Sequence, residues 1–470
     1  MSAFLQKARR TLIGDRKFYA AVLAILVPVI IQNGVTSFVS LLDNLMVGSL
    51  GDAEMSGVAI ANQLVFIFNL CIFGGLAGAG IYGAQFCGAG DIKGLRASFR
   101  IKIMMSVVLV ALWFVIFIGF GDMLIGLFLR GEGEEAMAEQ MLHHGKDYLM
   151  IMLAGLPAFA LSQSYAGTLR ETGETKLPMV ASVSAVITNA LFNYLLIFGK
   201  FGFPAMGVGG AALATVISRY VELAVVSIAV HRNSEEYPFI RGAYRSMHVP
   251  GSLLKDVVKV GAPLLANEAL WSIGMSTLTA IYSLCGLTVV SALSINSTIA
   301  NLFNVVFFAM GNAVSVMVGQ ALGADDYDGA RSTVWKLIFF GVSSSIVMGT
   351  LMIISAPYIP RLYSGVTEDV RSMATSLLVL SACANPLHSF AHCSYFTLRS
   401  GGKTVITFLF DCVYTWVVCV PLALLLVKVV KAPILWVYGS VQMIDIVKCI
   451  LGYILIRKGV WIQNIAKKHA

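Results

Sequence analysis

The chain has 470 residues, of which 58% are hydrophobic and 12% are charged, and its formal net charge is +8. Soluble domains carry about 25% charged residues on average, so this composition excludes an ordinary soluble protein. It predicts an all-α integral membrane protein that crosses the bilayer many times. The positive charge does not require a nucleic-acid partner, because Lys and Arg collect in loops on one side of a membrane.

Apolar runs long enough to cross a bilayer, which takes about 20 residues, occur twelve times along the chain. We predict spans near residues 18–50, 54–85, 96–120, 138–169, 177–199, 208–231, 256–284, 289–320, 332–358, 372–398, 404–427 and 433–457. The first seventeen residues are polar and basic and do not look like a cleavable signal. Lys and Arg outside the spans favour one side by about three to one, which predicts that both termini are cytoplasmic.

The two halves of the chain repeat each other in the same order. At an offset of 235, Pro28 matches Pro263, Gly51 matches Gly286, and QFCGAGDIKGLR (Gln85–Arg96) matches QALGADDYDGAR (Gln320–Arg331). At an offset of 229, TLRETGET (Thr168–Thr175) matches TLRSGGKT (Thr397–Thr404). Six crossings return the chain to its starting side, so the repeat is parallel and a transport site is expected between the halves.

This repeat sets the predicted domain organisation. The predicted segments are a cytoplasmic N-terminal segment (1–17), an N-lobe of six helices (18–231), a cytoplasmic linker (232–255), a C-lobe of six helices (256–457) and a cytoplasmic tail (458–470). In the second span Gly74 and Gly78 are four residues apart, a spacing that lets helices approach closely.

The first span carries an acid, Asp43, after Pro28, Gln32 and Asn33. A carboxylate costs about 2.5–3.5 kcal/mol at the centre of an inserted helix, so it is expected to face a wet or protein-lined interior and to handle protons or ions. The alternative is that Asp43 lies near the helix end and reaches interfacial water.

Two asparagines in the fifth span, Asn189 and Asn193, are four residues apart and therefore share a helix face. With Asp43 and with Thr215 of the sixth span they are expected to form a polar pocket inside the N-lobe. Amide oxygens ligate cations, and amides also hydrogen-bond a carboxyl group in either protonation state. Arg219 and Glu222, spaced i,i+3, are expected to form an internal ion pair.

The second half repeats the scaffold residues but not the polar ones. Asp43 is matched by Leu278, whereas Glu268, Asp411 and the pair His388 and His392 appear without twins. The two histidines have a metal-like spacing but no evident third ligand, so we expect a packing or transport-path role and no metal. Asp445 and Lys448 are expected to pair with each other. The substrate-path candidates are Gln32, Asn33, Asn69, Asn304, His388, His392 and Asp411.

The eight cysteines lie in or beside the predicted spans and include no close pair with metal-ligand spacing. They are predicted to be packing residues, not parts of a disulfide or zinc framework.

The repeated QxxGAxDxxGxR loops, the P-x-x-x-x-N start of the first span, the TLRxxGxT segments and SLLDNLMVGSLG (Ser40–Gly51) resemble the multidrug and toxic compound extrusion (MATE) family over essentially the whole chain. The resemblance implies two six-helix lobes arranged as a V, with export of organic compounds driven by inward flow of H⁺ or Na⁺.

Several site residues follow from the resemblance alone. Asp43, Asn189 and Thr215 match the family's N-lobe cation site, in which Asn193 stands where members often have aspartate. Glu268 resembles the acidic residue of the seventh helix in sodium-coupled members. Their aspartate of the tenth helix is absent, and His388 lies close to its place.

From these features we predict a secondary antiporter in the plasma (inner) membrane that exports cationic or amphipathic drug-like compounds by alternating access. The cation-coupling residues are expected to be Asp43, Asn189, Asn193, Thr215 and Glu268. No catalytic residue, cofactor or resident metal is predicted. The expected partners are small organic substrates and the lipid bilayer, with no nucleic acid, and the protein is expected to be a monomer.

Two rivals come from other classes. A lipid-linked precursor flippase would need several basic residues in mid-span to bind pyrophosphate. Only Arg219 and Lys448 are predicted within spans, which disfavours this alternative. An intramembrane enzyme would use His388 or His392, but no catalytic motif accompanies them. A nucleotide-driven pump is excluded because the chain has no phosphate-binding G-x-x-x-x-G-K-[ST] loop.

Overall fold

The computed structural model describes residues 12–48, 50–128, 135–363 and 366–469, and in these residues there is no β-strand. The main helices are α1 (Arg16–Gly48), α2 (Asp52–Gly88), α3 (Ile92–Phe128), α4 (Glu135–Leu153), α5 (Leu156–Glu171), α6 (Lys176–Phe198), α7 (Gly207–Arg232), α8 (Gly251–Ser283), α9 (Leu287–Gly323), α10 (Tyr327–Ser355), α11 (Glu368–Ser400), α12 (Thr404–Val429), α13 (Ile434–Met443) and α14 (Ile446–Lys458).

The helices coincide with the spans predicted from hydropathy. In the described part of the chain, nine helical segments are long and apolar enough to cross a membrane, and α4 with α5 adds a tenth as a span bent by 50°. At the two remaining predicted positions lie α8 and α11, which have 33 residues each but are more polar. The chain is therefore an all-α, multi-pass membrane protein, as its composition predicts.

The repeated glycines are explained by backbone geometry at the turns. Gly173, after α5, and its repeat partner Gly402, after α11, have φ values of 87° and 73°. Side chains with a Cβ rarely adopt this left-handed region, so glycine is needed where the helix ends in this turn. The sequence TLRxxGxT thus specifies the same turn twice.

Contacts divide the chain into two compact units. The N-unit contains residues 31–83 and 91–265, and the C-unit contains residues 12–30, 84–90 and 266–469, in both cases where described. Most of each unit coincides with a predicted lobe. The difference is that the unit boundary falls inside two proline-containing helices, α1 after Ile30 and α8 after Leu265. The lobe boundaries given above stay a prediction.

Each unit has its own apolar core. In the C-unit, Val22, Ile25, Leu26 and Val29 on the first half of α1 belong to one buried cluster with side chains of α9, α10 and α11. In the N-unit, a second cluster joins side chains of α2, α3, α4, α5 and α7, including the fully buried Phe68. The first half of α1 is therefore anchored in the C-unit by packing, although its sequence belongs to the first repeat.

At two places the backbones of neighbouring segments approach so closely that only glycine fits. In the N-unit, a Cβ added at Gly78 of α2 would lie 2.6 Å from Cα of Gly261 in α8, as the small-residue spacing predicts. In the C-unit, a Cβ at Gly88 would overlap the Gln320 carbonyl, and one at Gly323 would overlap the Gln85 carbonyl. The two copies of the QxxG segment thus pack reciprocally, which explains why both keep glycine.

The segment predicted as a polar linker is held against the N-unit. Arg96 of α3 donates to the carbonyls of Pro238 and Phe239 at 3.1 and 3.2 Å, and Arg100 donates to Gly242 and Ala243 at 2.8 Å each. These side-chain bonds add to the backbone bonds that the carbonyls of Pro238 and Gly242 accept within the segment itself. The linker is therefore an ordered part of the unit and not a loose connection.

Candidate functional site

The acid of the first span lies in a polar pocket of the N-unit, as predicted. Asp43 is partly buried, and the Asn193 amide donates to its Oδ1 at 2.5 Å. With its NH₂ group turned toward Asp43, Asn189 donates to both carboxylate oxygens at 2.9 and 3.0 Å and accepts from Thr215 Oγ1 at 3.2 Å. The structure thus brings together Asp43, Asn189, Asn193 and Thr215, and the alternative of an acid exposed to interfacial water is not supported.

The groups that are hydrogen-bonded to Asp43 are neutral amides. Asn189 and Asn193 are 5% and 1% exposed, so their amides are shielded from solvent. Oδ1 of Asn193 is buried and has no hydrogen-bond partner within the described residues. No Lys, Arg or His of the described chain forms an ion pair with Asp43, because none has a nitrogen within 4.0 Å of it. The pocket therefore contains a carboxylate and a spare amide oxygen, and no built-in counter-cation bonded to them.

A second polar network connects α1 to the same helices. Gln32 donates to Ser182 Oγ at 2.7 Å, and Ser182 Oγ donates to Glu222 at 2.6 Å. Glu222 also pairs with Arg219 at 3.3 Å, as predicted from their spacing. Arg170 donates to Gln32 Oε1 at 3.4 Å. Gln32 follows Pro28 by one helical turn, so the network holds α1 just beyond its proline.

Ser182 and Glu222 were not predicted as site residues, although one signal was available. Ser182, Asn189 and Asn193 are spaced by seven and four residues, so all three lie on one face of α6. All three are buried. The periodicity of polar residues therefore identified the face, but only the structure shows that Ser182 bridges α1 and α7.

The ionisable residues of the C-unit form a separate cluster. Asp411 lies in a π-helical segment of α12, Leu409–Val413, and accepts from Asn267 and from Lys448 at 3.3 Å each. Lys448 also lies 3.8 Å from Asp445, which was its predicted partner. Glu268 neighbours Asn267 on α8 but takes no part in the ion pairs of this cluster in the described chain. The coupling role of Glu268 stays a prediction.

The two histidines, His388 and His392, lie in different environments. His388 Nε2 lies 3.5 Å from Asp445, whereas His392 contacts the rings of Phe307, Phe308 and Phe396. No group of three or more potential metal ligands occurs among the described residues. On α11, His392 is therefore a packing residue and His388 has one acidic contact, and the absence of a metal role stays a prediction.

The remaining substrate-path candidates are dispersed. Asn33 and Asn69 are partly buried, and Asn304 has a buried Oδ1 that has no hydrogen-bond partner in the described chain. The prediction that only Arg219 and Lys448 are basic within spans is wrong, because Lys102 and Arg399 are also buried, at 1% and 7% exposure. Lys102 lies within the candidate span Ile92–Gly126, and its ammonium is 2.5 Å from Glu171.

The profile of the MatE family matches residues 28–195 and 263–425, one match in each half of the repeat. The chain belongs to the MATE family. "Probable multidrug resistance protein NorM" of Thermotoga maritima is 24% identical over 410 residues, covering 85% of this chain and 84% of that protein. "Multidrug resistance protein MdtK" of Photorhabdus laumondii is 25% identical over 368 residues, covering 77% of each chain.

Solved structures agree with this assignment at the level of the fold. A structure described as the outward-facing conformation of a multidrug resistance MATE family transporter of the MOP superfamily superimposes with a TM-score of 0.83 at 21% identity, covering 98% of this chain and 99% of that chain. The Vibrio cholerae MATE transporter VcmN in its bent form gives a TM-score of 0.78 at 18% identity, covering 94% and 97%. This MATE protein is therefore a multi-pass membrane transporter built on the parallel repeat.

Proposed function

We propose that this MATE transporter exports organic compounds by alternating access in exchange for H⁺ or Na⁺ taken up at Asp43. The observation that supports this most directly is the environment of that carboxylate. It is held by two buried amides and has no ion pair within the described residues, so binding a cation supplies the charge that the site lacks. An acid inside a membrane protein that lacks a partner is a functional site by default.

The Asn189 amide gives the site two matched states. When Asp43 is ionised, the amide NH₂ faces the carboxylate and the amide oxygen accepts from Thr215. When Asp43 is protonated, the amide oxygen accepts from the acid and the NH₂ donates to Thr215, which also lies at 3.2 Å. In each state the Asn189 amide is hydrogen-bonded to both Asp43 and Thr215, which favours reversible uptake of a proton. For Na⁺, the oxygens of Asp43, Asn193 and Thr215 are the available ligands.

The link between ion uptake and shape change is assigned to α1. Pro28 removes one backbone hydrogen bond within this helix, and the contact units divide immediately after it, at Ile30. Asp43 and Gln32 hold the far half of α1 to α6, through Asn193 and Ser182. Neutralising Asp43 weakens one of these two attachments, so the helix is expected to bend at Pro28–Gly34.

The proposal also includes the class of substrate and the membrane in which the protein works. Relatives are named multidrug resistance proteins, which supports small cationic or amphipathic organic substrates for this chain. We place the transporter in the plasma (inner) membrane as a monomer with both termini in the cytoplasm, since Lys and Arg favour that side.

Exchange of one cation for one monovalent organic cation is electroneutral, so export gains about 1.4 kcal/mol per tenfold ion gradient. A neutral substrate gains about 2.3 kcal/mol more per 100 mV.

The test is substrate-induced H⁺ and Na⁺ flux in reconstituted vesicles, with ethidium as the substrate. Wild type is expected to show efflux coupled to one of the two ions, and Asp43→Asn is expected to lose the coupling. Asp147→Asn is the matched control, because Asp147 is an exposed acid of the same unit whose only ion pair in the described chain is with His143 at 3.4 Å. Full coupled efflux by Asp43→Asn would refute the assignment. Glu268→Gln is measured beside it to test the C-unit.

The flippase alternative is disfavoured by how the buried basic residues are used. Lys102, Arg219 and Lys448 are each bonded to an acid, namely Glu171, Glu222 and Asp411, and Arg399 lies over the Phe396 ring at 5.1 Å from its centroid. A pyrophosphate group would have to displace those carboxylates. The intramembrane enzyme is disfavoured because His392 is packed among aromatic rings and has no acid as an ion-pair partner in the described chain.

A further inference from the structure

The charged cluster of the C-unit is built around the ammonium group of Lys448. This side chain starts on α14 and is 8% exposed. Its Nζ lies 3.3 Å from Asp411 Oδ1 and 3.8 Å from Asp445 Oδ1, and it lies over the Tyr414 ring at 4.9 Å from the centroid. Two carboxylates and the face of an aromatic ring are groups that attract a monovalent cation. The ammonium therefore sits in a site made for one positive charge.

The cluster has an oxygen acceptor to spare. Asn267 is 2% exposed, and its NH₂ group donates to Tyr395 and to Asp411 Oδ2 at 3.3 Å each. Its Oδ1 is buried and has no hydrogen-bond partner within the described residues. Buried acceptors are normally satisfied, and exceptions occur at sites that bind an ion or water. The buried amide of Asn267, which contacts Asp411, thus carries an oxygen that is suited to a hard monovalent cation.

The backbone at this position is also unusual. Asp411 lies in one of three π-helical segments of α12, at Leu409–Val413, Thr415–Cys419 and Leu425–Val429. Such segments are rare and frequently occur at functional sites, because the extra residue per turn redirects side chains. The asymmetry of the repeat agrees with this, since the corresponding span of the first half, α6, is α-helical from Lys176 to Phe198.

We propose that the Lys448 ammonium is a tethered cation that occupies a monovalent-cation site of the C-unit formed by Asp411, Asp445 and Asn267. With Lys448 in place the ammonium occupies the space between the two carboxylates and offsets one of their two charges, so Na⁺ does not bind there. One consequence rests on the proposed function: ion exchange then takes place at Asp43 in the N-unit and not in this cluster. Removing the ammonium uncovers a Na⁺ site.

The experiment measures equilibrium binding of radiolabelled Na⁺ to the purified full-length protein, with choline as the background cation. All variants carry Asp43→Asn, so that the N-unit site contributes nothing. The parent is expected to bind no Na⁺, and adding Lys448→Met or Lys448→Gln is expected to give one additional Na⁺ per chain. Adding Asp411→Asn to either is expected to abolish that binding. Lys448→Arg keeps a fixed cation and is expected to behave as the parent.

The proposal is overturned if monodisperse Lys448→Met and Lys448→Gln proteins bind no Na⁺, including the case in which the freed carboxylates take up protons instead. It is also overturned if the parent, with Lys448 in place, binds Na⁺ that Asp411→Asn removes. The Na⁺-binding measurement on the parent tests the proposal even if both Lys448 variants fail to fold. Because the readout is binding and not flux, failure here is distinct from failure of the proposed role of Asp43, which Asp43→Asn tests in vesicles.

Discussion

The buried ion pair between Lys102 of α3 and Glu171 of α5 offers the sharpest stability test in the N-unit. Lys102 is 1% exposed and Glu171 is 9% exposed, and their nearest nitrogen and oxygen are 2.5 Å apart. Lys102 also donates to Thr168 at 2.9 Å. We predict that Lys102→Met destabilises the protein strongly, whereas the double variant Lys102→Met with Glu171→Gln recovers much of the loss.

The magnitude follows from the distance and the burial. At 2.5 Å and an effective dielectric constant of about 20, two unit charges attract by about 7 kcal/mol. Desolvation of two buried ions costs several kcal/mol each, so the pair as a whole contributes little net stability. Removing Lys102 takes away this attraction while the charge of Glu171 stays buried, and a change of this kind costs about 3–5 kcal/mol. Removing both charges avoids that cost.

The assay is thermal unfolding of the purified transporter in detergent, read as the apparent melting temperature at a fixed heating rate. The matched control is Lys146→Met, because Lys146 pairs with Asp122 at 2.7 Å but the two side chains are 44% and 58% exposed. An exposed pair contributes about 0–1 kcal/mol, so the control is expected to melt close to wild type. A double variant that is less stable than Lys102→Met alone, or a Lys102→Met protein as stable as the control, would refute the reasoning.

Three further predictions follow from single contacts. Gly78→Val is expected to destabilise the contact of α2 with α8, because its Cβ would lie 2.6 Å from a backbone atom, whereas Gly126→Ala, with nothing within 4 Å, should melt like wild type. Ser182→Ala removes a buried bridge between two side chains and is expected to cost about 1–3 kcal/mol, measured by the same melting assay. Lys467 holds the pKa of Asp325 well below its usual range, so this contact contributes above about pH 4 and is lost on further acidification. The protection factors of the tail amides, which are exchange rates corrected for the intrinsic rate at each pH, should therefore fall on acidification in wild type and be low at all pH values in Asp325→Asn, and pH-independent protection in wild type would contradict this.

The amino-acid sequence by itself determined the membrane class, the helices and the repeat. Hydropathy and length identify each span because a bilayer of fixed thickness requires about 20 apolar residues. Paired positions such as Gly173 and Gly402 are fixed locally, since their left-handed backbone strongly favours glycine. The face shared by Asn189 and Asn193 follows from helix periodicity. These features depend on neighbours in the chain, so they can be derived from local pattern.

Only the tertiary structure decided which polar groups meet. Asp43 and Asn193 are 150 positions apart, as are Gln32 and Ser182, and Lys448 reaches Asp411 across 37 positions in addition to its neighbour Asp445. Local periodicity gives the face on which a side chain lies but not the helix against which that face packs. The same reason explains why the sequence did not identify the ion pair of Lys102, whose partner Glu171 lies on α5. It also explains why the unit boundary falls inside α1, where packing against α9 and α10 competes with sequence order.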